Sequence, residues 1–407
     1  MVKVVFLHPD LGIGGAERLV VDAALALKRK GVDVQFLTAH HDPTHCFPET
    51  IDGQLQVTCV GDWLPRSTFG KFSALWAYIR MIYVALYMVF FSKIIYDVVF
   101  VDQVSVCIPF LRFKKKCKIM FYCHYPDQLL TQRKSFLKKI YRFPLDTLEE
   151  KTTGQADCIM VNSRFTSGVF KETFRSIHTT PTVLYPSLDF SRFDEPTTLK
   201  ISDLGVEDKA KYIFLSLNRY ERKKNLSLAL KAFKELLESV EEEHKNQIHL
   251  IMAGGFDHLN TENIEHYDEL VNEAKQLDII SKITFLKSPS DEGKLALLRS
   301  ATCLIYTPDK EHFGIVPIEA MYLSTPVIAV NSGGPKETVV DNQTGFLCDS
   351  SAAAFSEAMR KFVLGTSSKA VMGAAGHTRV LNNFSFNTFS DHLLYIVNGL
   401  IDERKRT

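Results

Sequence analysis

Two glutamates, Glu311 and Glu319, stand seven residues apart in EHFGIVPIE, after the apolar run Cys303–Tyr306 and the loop Thr307–Lys310. Carboxylates accept hydrogen bonds from vicinal hydroxyls, the chemistry that sugar and ribose recognition requires. Phe313 and Gly314 sit at the turn, and Pro317 suits the first turn of a helix. That helix would hold Glu319, leaving Glu311 in the preceding loop, and its start would favour a phosphate nearby. Upstream, NRYERKKN (Asn218–Asn225) puts Arg219 and Lys224 five residues apart behind another apolar run. A helix is expected from near Leu226 with Asn225 as N-cap. Two cations at a helix start suit a diphosphate, although a basic run of this kind reads equally well as a solvated loop. In NSGGPKE, Ser332, Gly333 and Gly334 offer either backbone donors beside the glutamates or an ordinary Gly-Gly-Pro turn.

The first half holds two more candidates. Gly12, Gly14 and Gly15 in PDLGIGGAER lie between an apolar strand and a helix expected over Ala16–Lys28. Such a turn either lets backbone N–H groups approach a phosphate or packs a helix closely on its strand. The third glycine of a dinucleotide fingerprint is missing, and no acid closes the next strand. A nicotinamide cofactor is therefore not expected. His124 in FYCHYPD follows a buried strand, a place that suits a catalytic histidine as well as a structural one.

Thirteen short apolar runs must position these residues. They are Lys3–Leu7, Asp33–Leu37, Val57–Val60, Asp97–Val101, Lys118–Cys123, Cys158–Asn162 and Thr182–Leu184, then Tyr212–Leu217, Ile248–Ala253, Ile283–Leu286, Cys303–Tyr306, Val327–Val330 and Gly345–Leu347. Their alternation with helical stretches predicts an α/β protein of two doubly wound parallel sheets, with ligands in a cleft at the strands' carboxyl ends. The polar stretch Asp189–Lys209, interrupted by Pro196, marks the boundary. The expected domains are 1–195 and 196–385, with a helix over 386–407 packing back on the first.

The chain has 407 residues, 46% hydrophobic and 23% charged, which excludes a disordered chain. Its 48 Lys and Arg against 47 Asp and Glu argue against a nucleic-acid binder. The 8 cysteines form no CxxC, so neither a zinc ribbon nor a disulfide scaffold is encoded, and a reducing compartment is expected. Met1–Leu7 is too short for a signal peptide and reads as a strand. Residues 72–91 (FSALWAYIRMIYVALYMVFF), flanked by Lys71 and Lys93, are apolar except for Arg80. The segment reads as a buried core helix, an interfacial helix on a membrane, or a span, although a span needs roughly 20 apolar residues.

Over about residues 1–385 the chain resembles the retaining nucleotide-sugar glycosyltransferases of family 4, with the GT-B fold of two facing Rossmann-like domains. Glu311 and Glu319 match that family's E-x7-E motif, and Arg219 with Lys224 match its diphosphate pair. The Gly12–Gly15 loop, His124 and Gly333–Gly334 also sit where the family has them. FLHPDLGIGGAERLV, GDWLPR, FYCHYPDQLL, LYPSL, NRYERKKN, EHFGIVPIEAMY and AVNSGGPKE are similar to the eukaryotic α-1,3/1,6-mannosyltransferases of asparagine-linked glycosylation.

The resemblance implies GDP-mannose as donor and Man-GlcNAc2-diphosphodolichol as acceptor, at the cytosolic face of the endoplasmic reticulum membrane. It implies α-1,3 and then α-1,6 addition, with other mannosyltransferases of the pathway as partners. Arg219 and Lys224 would offset charge on the departing diphosphate. Glu311 would hold mannose hydroxyls, with backbone groups of Phe313, Gly314 and Ile315 contributing, and Glu319 would hold the ribose. His124 would approach the sugar from the first domain, and Gly12, Gly14 and Gly15 would form an acceptor or phosphate loop. No metal is expected, because the sequence carries no Asp-x-Asp for a divalent ion. Retention without an evident nucleophile suggests front-face attack assisted by the leaving phosphate. A lipid-borne acceptor implies a membrane-facing first domain, with 72–91, Lys114–Lys116 and Arg133–Arg142 as the contact candidates.

Overall fold

A computed structural model describes residues 1–68, 72–114, 117–131, 136–188, 190–206 and 210–406. Lys71, Lys115, Lys116, residues 133–135 and parts of the boundary stretch (189 and 207–209) lie outside the described residues. The chain divides into two compact units, Met1–Ser187 with Phe386–Thr407, and Leu188–Ser385.

The first unit holds β1 (Lys3–His8), β2 (Asp33–Thr38), β3 (Gln56–Cys59), β4 (Val98–Asp102), β5 (Lys118–Cys123), β6 (Cys158–Val161) and β7 (Thr182–Val183). All are parallel, in the order β3-β2-β1-β4-β5-β6-β7. The second holds β8 (Tyr212–Leu217), β9 (Ile248–Gly254), β10 (Ile283–Lys287), β11 (Cys303–Tyr306), β12 (Val327–Val330) and β13 (Gly345–Cys348), parallel in the order β10-β9-β8-β11-β12-β13. Strands such as KVVFLH and VVFVD are continuously apolar because both faces of these sheets are covered. In each sheet the winding reverses at one point, β1/β4 in the first and β8/β11 in the second. The loops leaving those four strands carry most of the candidate residues, as ligand binding at a switch point requires.

The last helix, Phe386–Arg406, buries Phe389, Leu393, Val397 and Leu400 in the first unit's core beside Leu19, Ala23 and Phe100. Its polar face ties down through Arg404, which donates to Asp97 at 2.8 Å. The second unit begins in the polar stretch, which aromatic residues anchor. Phe190 stacks on Tyr322 with ring centroids 3.9 Å apart, and Tyr322 donates to Asp194 at 2.7 Å.

The apolar segment forms the helix Ser73–Leu86, continued by a wider turn over Tyr87–Phe91. One face buries Met81, Val84, Ala85 and Met88 against Leu7, Leu37 and Val99. The other exposes Leu75, Ile79, Phe90 and Phe91. A helix clamped along one side by its own sheet is not free to be surrounded by lipid, so the segment is a core helix with an exposed apolar edge. The helix Phe136–Thr153 adjoins it, since Leu75 N–H donates to the Tyr141 hydroxyl at 3.2 Å. That helix exposes Phe136, Ile140 and Phe143. Arg142 of the basic run turns inward instead, pairing with Asp127 at 2.6 Å and Asp146 at 3.0 Å.

Leu393 is fully buried, so Leu393→Ala is expected to cost about 2–5 kcal/mol. Denaturant melting of the full chain followed by a signal of the first unit checks it, and an unchanged midpoint would contradict this packing.

Candidate active site

In the second unit the loops after β8 and β11 meet in a side-chain pair. Lys224 Nζ donates to Glu311 Oε2 at 2.5 Å, with both side chains largely covered. The fully buried Thr307, at the end of β11, donates to the Lys224 carbonyl at 2.7 Å. Neighbouring strands thus hold the cation and the carboxylate from both sides. Lys224 alone of the basic run faces inward. Arg222 pairs with Glu265 and Glu269, and Lys223 with Glu221. The following helix is Ser227–Ser239, with Leu226 at its N-cap position and no side-chain cap. The expected Asn225 cap is therefore corrected. Asn225 takes left-handed backbone at φ 51° to close a short turn over Arg222–Lys224, which carries the chain past the N-cap position. Arg219 is 71% exposed, 3.9 Å from Glu221.

The glycines of NSGGPKE have a definite task. Gly334 N–H donates to the Glu311 carbonyl at 2.7 Å. A Cβ on Gly334 would stand 2.3 Å from the Phe313 carbonyl oxygen, and one on Gly333, at φ 61°, 2.5 Å from that of Glu311. Only glycine lets this turn press against the Glu311–Phe313 backbone. The Gly334 donor is already engaged there, which corrects the expectation of a free donor at that residue. Phe313 is buried on Phe384, and Gly314 at φ 82° turns the chain into the helix Ile315–Tyr322.

Glu319 lies inside that helix, as its spacing predicts, and is 6% exposed. Lys294 Nζ, from the helix Asp291–Ser300, stands 2.7 Å from both its carboxylate oxygens. Burial raises the Glu319 pKa while Lys294 pulls the other way. Burial, then the charges of Glu311 and Glu319, push the Tyr306 phenol well above its ordinary range, so one buried ring senses both carboxylates. Lys294 and Tyr306 carry no motif signal. Charge balance for a buried Glu319 is the one clue that asks for a lysine.

In the first unit, His124 Nε2 lies 2.8 Å from Asp102 Oδ1, at the end of β4. Asp102 is fully buried, and its Oδ2 lies 3.0 Å from His8 Nδ1 at the end of β1. His8 Nε2 in turn faces Glu17 Oε1 at 3.5 Å. Burial would raise the Asp102 pKa, but His124 and His8 outweigh it and hold the carboxylate ionised. An ionised Asp102 accepts from His124 Nε2–H and leaves Nδ1 of His124 for another partner. The helix Gly15–Arg29 begins after Gly14, where a Cβ would meet Glu17 Oε2. Around Gly15 nothing stands within 4 Å of a Cβ position. Asp102 and His8 escape a motif reading because each simply ends an apolar strand. Among the described residues no group of three or more His, Cys, Asp or Glu is placed to hold a metal ion.

The chain matches the model of Glycosyltransferase Family 4 over residues 13–192 and that of Glycosyl transferases group 1 over 200–379. The human α-1,3/1,6-mannosyltransferase ALG2 is 53% identical over 403 residues, covering 98% of this chain and 96% of the human protein. The chain belongs to the α-1,3/1,6-mannosyltransferase family. The mouse member is 52% identical, again over 98% of this chain and 96% of its own. Sucrose-phosphate synthase of Thermosynechococcus elongatus superposes with a TM-score of 0.76 at 19% identity, covering 99% of this chain and 100% of its own. The chain is thus a glycosyltransferase of GT-B fold, with a nucleotide-sugar donor.

Burial would lower the His8 pKa, but Asp102 and Glu17 outweigh it and raise it from 6.5 to about 9. A raised histidine stabilises the fold fully below its unfolded pKa and loses that contribution as pH climbs through the folded value. Stability is therefore expected to fall by about 3 kcal/mol between pH 6.5 and 9. Chemical denaturation across that range checks it, and His8→Asn should flatten the slope.

Proposed function

We propose that this chain transfers mannose from GDP-mannose to Man-GlcNAc2-diphosphodolichol, first in α-1,3 and then in α-1,6 linkage, with retention. The observation that carries the reading is the Lys224–Glu311 pair. A cation and an anion neutralise each other where the donor offers a complementary anion and hydroxyls. The diphosphate takes Lys224, and mannose hydroxyls take the carboxylate this frees. Arg219, largely exposed, closes on the same diphosphate. Glu319, which accepts from Lys294 through Oε1 and has no hydrogen-bond partner at Oε2, accepts from ribose hydroxyls, while backbone groups of Phe313, Gly314 and Ile315 border the sugar. His124, held by Asp102, orients the mannose. The Gly12, Gly14 and Gly15 turn serves the acceptor or a phosphate.

In the transfer, the mannose C1–O bond to the GDP β-phosphate breaks and its electron pair leaves with the phosphate. The acceptor hydroxyl forms the new C1–O bond on the same face, and its proton passes to the departing phosphate oxygen. Lys224 and Arg219 stabilise charge as it gathers there, the contribution usually largest in such reactions. No divalent ion is required in this scheme.

A lipid-linked acceptor calls for a membrane surface, and we infer that the chain works at the cytosolic face of the endoplasmic reticulum membrane, among the other mannosyltransferases of the pathway. The exposed edge of Phe90 and Phe91, with Phe136, Ile140 and Phe143 on the adjoining helix, supports that placement.

Radiolabelled transfer to a short-chain Man-GlcNAc2-diphosphate lipid tests the reading. We expect growth by two mannoses, unaffected by EDTA and unsupported by UDP-glucose; transfer from UDP-glucose alone would discard the donor. Glu311→Ala and Lys224→Ala are each expected to lower turnover by at least ~10²-fold with melting unchanged. Near wild-type rates in both would remove the site assignment.

Phe90→Asp with Phe91→Asp should move the protein from the pellet to the supernatant in liposome sedimentation without weakening GDP binding. Loss of the folded state instead would make these side chains core.

A further inference from the structure

Arg80 sits midway along the apolar helix Ser73–Leu86, where helix packing alone calls for no charge. It is 6% exposed, and its Nε is buried with no hydrogen-bond partner. Among the described residues it has no carboxylate partner. Asp10, Arg66 and Asp62 are the charged groups facing it, along with the Cys59 thiol. Both acids are already engaged, Asp10 by Arg66 at 3.0 Å and Asp62 by His40. Arg80 is the cation left over. Burial lowers its pKa, and Asp10 and Asp62 offset only part of that effect. A buried charge is ordinarily paired, and one that is not calls for a missing anion.

The surroundings are built to keep the second arginine close. Gly61 has φ 94°, and a Cβ there would stand 2.7 Å from the Tyr83 ring. Trp63 packs edge-on against the same ring at 5.7 Å. Tyr83 lies three residues beyond Arg80, one turn along the same face. A single helix turn thus carries Arg80 and clamps the loop (Gly61 to Arg66) that brings Arg66 beside it. Asp10 completes the cluster from the turn after β1, next to Gly12.

A guanidinium with no carboxylate partner, near a second held by one carboxylate, leaves donors for a polyvalent oxyanion, and phosphate oxygens match that geometry. The same helix ends in the exposed Phe90 and Phe91. We propose that Arg80, with Arg66, binds the diphosphate of the lipid-linked acceptor at the membrane-facing edge of the first unit. The identity of the ligand as acceptor rests on the mannosyltransferase reading; the demand for an anion does not.

The test uses the full chain saturated with GDP, so that the donor site is occupied. Inorganic pyrophosphate titrated calorimetrically into this complex should bind, and binding should be lost in Arg80→Gln and weakened in Arg66→Gln. In steady-state transfer to the short-chain acceptor, both variants should raise the acceptor KM about tenfold or more, with kcat and the KM for GDP-mannose unchanged. Pyrophosphate binding with an unchanged acceptor KM would assign the site to a free anion and overturn the proposal. Retention of both properties in both variants would overturn it outright. If Arg80→Gln fails to fold, Arg66→Gln, whose side chain is 54% exposed, decides alone. Should the wild type transfer no mannose while pyrophosphate binding still depends on Arg80, the anion site stands and the mannosyltransferase reading falls.

Discussion

A parallel strand that is covered on both faces can offer chemistry only at its ends, and in a doubly wound sheet the carboxyl ends open where the winding reverses. Nearly every functional feature of this chain follows from that constraint. β8 and β11 are neighbours although 85 residues separate their ends in sequence, so Lys224 and Glu311 meet across them. β1 and β4 are neighbours in the other sheet, so His8 and Asp102 meet, and His124 joins them from β5. The apolar strands supply rigidity, and the loops supply charge.

Charge balance is the second organising rule. Lys224 with Glu311, Lys294 with Glu319, and Asp102 between His8 and His124 are each compensated inside their own unit. Such pairs return little net stability, because desolvation offsets most of the attraction. They do keep the side chains aimed, and a ligand that offers an anion and hydroxyls can exchange with them without leaving a bare charge. Arg80, buried without a carboxylate partner among the described residues, departs from this pairing.

The helix Ser73–Leu86 joins these two themes. Its inner face completes the first unit's core, its middle carries Arg80, and its continuation exposes two phenylalanines. Core packing makes this edge rigid, so an aromatic pair there adds binding area with little loss of conformational freedom. One segment therefore combines core packing, a buried cation and an exposed aromatic edge.

The thirteen strands, the Glu319 helix and the long terminal helix were legible in the residues because local apolar runs and their spacing govern backbone form. The E-x7-E spacing and the Arg–Lys pair left the chemistry open by themselves, and the resemblance to family 4 glycosyltransferases supplied it. What residues alone could not decide was which groups face one another. Nothing near Asn225 says that its backbone turns left-handed, or that Gly334 spends its N–H on Glu311. Nothing near Asp291–Ser300 says that Lys294 reaches Glu319. The apolar run 72–91 fits core, interface and span alike until a sheet is placed against one side. Strand order and side-chain partners are set by contacts between residues far apart in the chain, and that information exists only once the sheets have wound.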